Sequence, residues 1–209
     1  MSLLKISNKA LRQLGVEEIM SLTQQGSRPA ARCNAAVVGV VKEVLAEHPF
    51  SFATVWNTLS LNATSPPFGY TYSYQLPVEK VKLFDIRQEE DLKTPEINFE
   101  SVRGNVVYTD ATPCYARYTV YFEADLDAAP ALFLKACAMS LGAEIASPLS
   151  KMDKIPLMEK LYLYYLDRAI RADVSESSER QQDPNRTNTI LASRQYPGQV
   201  NDEIYGSEA

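Results

Sequence analysis

The chain has one histidine, His48, and three cysteines, Cys33, Cys114 and Cys137, and catalytic chemistry would ordinarily start from these. A single imidazole removes every metal site that needs two. It leaves a Cys–His nucleophile pair to consider, but Cys33 precedes His48 by about four turns of one helix at ~1.5 Å per residue, out of reach. Cys137 falls in an apolar helical stripe and reads as core. Cys114 follows Pro113 between strands, where it could be exposed, yet no sequence feature there lowers its pKa. An odd number of cysteines at wide spacing argues against a disulfide framework and against a zinc site, and fits synthesis in a reducing cytosol. His48 itself ends an apolar helix face just before Pro49, the position of a C-terminal cap or a packed ring.

Carboxylates offer a second route, since glycoside hydrolysis needs only two of them. The densest group is "RQEEDLK", with Glu89, Glu90 and Asp91 consecutive in a polar connector. Nothing marks a buried acid beside an exposed one, so the run reads as a solvated loop; a virion-associated peptidoglycan hydrolase using a pair among these and neighbouring acids stays open as the enzymatic alternative. The eight glycines are scattered, with Gly39 alone inside a helix, so no phosphate-cradling loop exists. No catalytic, metal-binding or cofactor-binding residue is assigned, and no cofactor is expected.

The remaining signal is aromatic. Twelve tyrosines could stack bases, but basic residues are not interleaved with them, and a formal net charge of -5 offers no general attraction to DNA. Tyrosine is also enriched where proteins meet proteins, because it buries a large rigid area and keeps a polar tip. In "SPPFGYTYSYQLP", Tyr70, Tyr72 and Tyr74 have the period-two spacing of a strand, while Pro66, Pro67 and Pro77 prevent ladder pairing at its ends.

The elements that must position these residues follow from periodicity. Ile6, Ala10, Leu11 and Leu14 share one face of a short helix that Gly15 can terminate. Ser27 and Pro29 start a second helix, which carries Val37, Val40, Val41, Val44 and Leu45 and stops at Pro49. Residues 51–123 alternate and are rich in β-branched and aromatic residues between Pro, Asn, Asp and Gly, the pattern of a β region. A third helix carries Ala129, Leu132, Phe133, Ala136, Cys137 and Leu141 and ends near Pro148. A fourth, from about Asp153, carries Met158, Leu161, Tyr162, Tyr165 and Ala169 around "LYLYY". From about Val174 the chain is polar with isolated apolar anchors, as in a segment that orders on a partner.

These assignments predict an α+β, mainly α fold: an antiparallel four-helix bundle (1–50 and 124–175), a β-rich insertion between its second and third helices (51–123) and an extended C-terminal arm (176–209). At 209 residues the chain can bury roughly 70% of its unfolded surface. It has no signal-peptide pattern and no run near the roughly 20 apolar residues of a membrane span, which predicts a soluble protein.

Read in order, "ALRQLGVEEIMSL", "ARCNAAVVGVVKEVLAEHPFSFA", "PPFGYTYSYQLP", "VVYTD" and "FLKACAMSLGAEIASPLSK" resemble the tail tubular protein A family, the head-to-tail adaptors of short-tailed bacteriophages. The resemblance runs collinearly over most of residues 8–173 and is specific in combination. It implies a structural virion protein, assembled in the bacterial cytoplasm, that forms a homododecameric ring beneath the portal and continues the DNA channel to the tail nozzle, tubular protein B. The resemblance implies tail fibres as a further partner and no membrane, and DNA is expected to pass without tight binding past a neutral or acidic lining. It also implies that the C-terminal segment grips the portal, which makes Ile190, Leu191, Arg194, Tyr196 and Tyr205 candidate partner-binding residues beside Tyr70, Tyr72 and Tyr74. "ILASRQ" is similar to the family's "L-AR" ending, while Tyr196–Ala209 extends past it. A tail completion or stopper protein of a longer-tailed phage is the other structural alternative.

Overall fold

The structure is a computed structural model and describes residues 2–66, 69–89, 96–102 and 105–180. Helix α1 (Ser2–Leu14) buries Leu3, Ile6, Ala10, Leu11 and Leu14. Its end is set by Gly15 at φ 68°, the left-handed conformation a side chain resists. The Gly15 and Val16 N–H groups donate to the carbonyls of Arg12 and Leu11 at 3.1 and 2.9 Å, closing the helix in a Schellman turn. In α2 (Arg28–Glu47) the Ser27 hydroxyl accepts from the Ala30 N–H at 3.3 Å, Pro29 sits in the first turn, and His48 takes the C-cap position. Helices α3 (Ala131–Ala146) and α4 (Ile155–Arg180) follow the β region. Phe133 on α3 meets Phe50 and Phe52 edge-on, with ring centroids 5.0 Å from each.

Among the described residues, seven strands lie between α2 and α3, in two antiparallel sheets. One has the order β1 (Thr54–Thr58), β7 (Tyr115–Val120), β4 (Lys80–Arg87). The other runs β2 (Ser60–Leu61), β3 (Tyr72–Gln75), β6 (Val106–Thr109), β5 (Phe99–Val102). Leu59, Tyr74, Leu76, Ile86, Val107, Cys114, Ala116, Tyr118 and Val120 form a core to which both sheets contribute. The helices have a separate core. Residues 1–173 form one compact unit, and a second begins at Val174.

This overturns the expected four-helix bundle with a single β insertion: the fold is α+β with two antiparallel sheets. The apolar helix faces are covered partly by strands and loops. Val81, Phe52 and Tyr121 pack on the helical core, Lys82 Nζ donates to the Ala46 carbonyl at 2.7 Å, and Thr119 Oγ1 reaches the Leu45 carbonyl at 3.5 Å. The last carbonyls of α2 would otherwise be orphaned, and an ammonium there also suits the helix dipole. The first sheet is thus docked on a helix end. Helix α4 in turn buries Met158, Leu166, Ala169 and Asp173 while Leu157, Leu163 and Tyr164 stay exposed, so it lies across the core with one narrow stripe. Gly142 permits this approach: a Cβ there would lie 3.1 Å from the Met158 sulfur.

Candidate functional site

The cysteines and the histidine singled out for chemistry are sealed or already engaged. All three cysteines are buried, including Cys114, whose position between strands had suggested exposure; burial pushes its thiol up to about 11. Burial raises Cys137 as well, and it raises Cys33 against a weaker opposing hydrogen bond from Ser7. None is a thiolate nucleophile near neutral pH. His48 packs edge-on to Phe50 at 4.9 Å and sets Nε2 3.0 Å from Asp173 Oδ2. Asp173 Oδ1 accepts from the Ser51 N–H at 2.9 Å and the Ser51 hydroxyl at 2.7 Å. The order is therefore Ser–Asp–His with the carboxylate in the middle. The serine proton goes to the acid, not to the imidazole, so this is a clasp between α4 and the α2–β1 junction, not an activated nucleophile.

Glu89 is exposed, and Glu90 and Asp91 lie outside the described residues. No group of three or more His, Cys, Asp or Glu among the described residues could hold a metal ion. No described helix is long and apolar enough to cross a membrane.

The three strand tyrosines separate. Tyr74 is buried and its hydroxyl donates to the Ala111 carbonyl at 2.9 Å, an internal anchor of the sheet core. Tyr72 is half-buried beside it, with ring centroids 6.4 Å apart. Tyr70 precedes β3, half-buried and 6.2 Å from the Tyr108 ring. The other predicted partner-binding residues, Ile190, Leu191, Arg194, Tyr196 and Tyr205, lie outside the described residues.

Two surfaces escaped the sequence reading. On the first sheet, Trp56, Arg117 and Asp85 form one cross-strand row, through the pairings Trp56 with Arg117 and Asp85 with Arg117. A register shift between Leu83 and Asp85 puts the acid opposite Arg117. Asp85 Oδ2 lies 3.5 Å from Arg117 Nη1 and Oδ1 lies 3.5 Å from Arg87 Nε. Both guanidinium carbons stand over the indole, at 5.4 Å (Arg117) and 5.9 Å (Arg87) from its centroid, leaving Trp56 37% exposed.

The second surface is α4. At ~100° per residue its buried stripe leaves two flanks. One carries Leu157, Tyr164 and Arg168, with the Arg168 guanidinium 5.6 Å from the Tyr164 centroid and Nη1 donating to its hydroxyl at 3.1 Å. The other borders a groove of about 400 Å³ lined by Glu43, Ser140, Ala143, Glu144, Glu159 and Tyr162. Partial burial, then the nearby Glu43, raise Glu144 above the usual carboxylate range. Leu157, Leu163 and Tyr164 are 47%, 63% and 52% exposed. The sequence did hold a signal for this: "LYLYY" is five large residues in succession, and a single helical stripe cannot bury them all. The chain matches no protein-family model, and no curated protein is significantly similar to it.

Proposed function

We propose that this chain is a structural subunit of a phage head-to-tail joint: an adaptor that assembles with copies of itself beneath the portal and carries the DNA channel toward the tail nozzle. One observation carries the reading. The three cysteines are buried and His48 is held by Asp173, while large apolar and aromatic side chains on α4 are displayed outward. A protein so arranged is suited to binding other proteins, and the collinear segments that resemble tail tubular protein A give the binding its context. The half-buried Tyr70 and Tyr72 and the arm beyond Arg180 are its further contact residues, the arm meeting the portal. The net charge of -5 suits a conduit that DNA traverses without being held.

The test is the solution mass of the full chain, alone and mixed with the portal ring encoded by the same genome. The expected result is a stoichiometric ring on the portal. A chain ending at Arg180 should keep the thermal unfolding of the parent yet lose that association. Absence of association at every salt concentration overturns the reading.

A further inference from the structure

We infer that copies of this chain join head to tail through the two flanks of α4, the Tyr164–Arg168 flank of one copy seating in the Glu43–Glu144–Glu159 groove of the next. The inference rests on the adaptor reading above and adds to it the surfaces that meet.

The two flanks lie on opposite sides of α4. Glu159 and Arg168 are nine residues apart, which at ~100° per residue puts them on opposite sides of α4. Neither can satisfy the other within one copy. A surface and its complement on opposite sides of one element form a heterologous contact, which makes a ring when the rotation closes. A twofold pairing of like flanks would instead bring Arg168 against Arg168, or the glutamates against glutamates, and like charges in a closing interface oppose it.

The two flanks are also chemically complementary. The groove presents three exposed carboxylates from three helices: Glu43 on α2, Glu144 on α3 and Glu159 on α4. Glu43 and Glu144 already work against each other, and a cation between them removes that repulsion. Arg168 is the matching group, because its fork can serve two carboxylates and its stacking on Tyr164 holds it in place. The apolar parts also correspond. Leu163, four residues after Glu159, forms a lip on the groove side, while Leu157 and the Tyr164 ring stand on the inserting side. The described groove is open and large enough for a guanidinium with part of the ring behind it.

The experiment uses the full chain with and without the portal ring, read by sedimentation and light scattering. Arg168→Glu should weaken self-association about tenfold or more, and so should Glu144→Lys, because each sets like charges face to face. Both positions are exposed, so neither variant should unfold below the parent by more than a slight margin, and Glu144→Lys should unfold slightly above it because the repulsion from Glu43 is removed. Mixing the two variants should restore assembly: each sound flank meets a sound groove, and each reversed flank meets a reversed groove. The parent assembly should also weaken as salt rises. If both variants assemble like the parent, the interface lies elsewhere and this inference fails while the adaptor reading stands. If each fails alone and the mixture also fails, head-to-tail pairing of these surfaces is overturned. A parent chain that remains a single copy even with the portal present overturns both.

Discussion

The helical core and the sheet core are closed in different ways. Around Phe133 the helical core is sealed by apolar contact, with the Phe50 and Phe52 rings edge-on to its own. The sheet core contains two buried tyrosines whose hydroxyls are committed: Tyr74 donates to the Ala111 carbonyl, and Tyr118 accepts from Asn57 Nδ2 at 3.0 Å. Shape complementarity decides stability in the first; in the second, hydrogen-bond geometry also fixes the register of strands that lie far apart in sequence.

Phe133→Ala should break this comparison hardest. It leaves a cavity between α3 and the α2–β1 junction and should cost about 3–5 kcal/mol, read by chemical denaturation. Tyr74→Phe keeps the ring and removes only the donor, leaving the Ala111 carbonyl buried without it. A loss of about 1 kcal/mol is expected, and a larger loss than Phe133→Ala would show that the polar anchor dominates. The smallest effect belongs to neither core. Glu144 has a folded pKa raised by burial and by Glu43, so the folded state holds its proton more tightly than the unfolded chain does. Stability should therefore fall slightly as pH rises from the ordinary carboxylate range through the raised value, the penalty persisting above it. Glu144→Gln should flatten that slope and raise the melting temperature slightly at neutral pH.

Local rules were legible where local chemistry decides. Ser27 with Pro29 opens α2, Gly15 closes α1, and the prolines around Tyr72 and Tyr74 bound a real strand, β3. What covers each apolar face was not legible, because that depends on partners distant in the chain. Periodicity in α2 announces a buried stripe but cannot say that Lys82 and Thr119 reach its last carbonyls. Four amphipathic segments therefore suggested four helices covering one another, whereas sheet and loop residues supply part of that cover. The pairing of β1 with β7 joins Thr54 to Thr119 across the whole β region, and alternation alone does not rank such pairings. At the candidate surfaces, tyrosine spacing pointed to Tyr74, which is internal. The Trp56 row needed a register shift in β4, and the acidic groove needed three helices brought together, neither of which can be counted along a chain.

The three cysteines have a use that their inertness makes possible. Cys33 and Cys137 are buried among the helices, Cys114 is buried between the sheets, and none is tied in a disulfide. A thiol reagent reaches such a group only when the region around it opens. The unaltered chain thus carries separate clocks for its helical core and its sheet core. Labelling over time, resolved peptide by peptide in free and assembled protein, would tell which core loosens first and which one assembly holds shut.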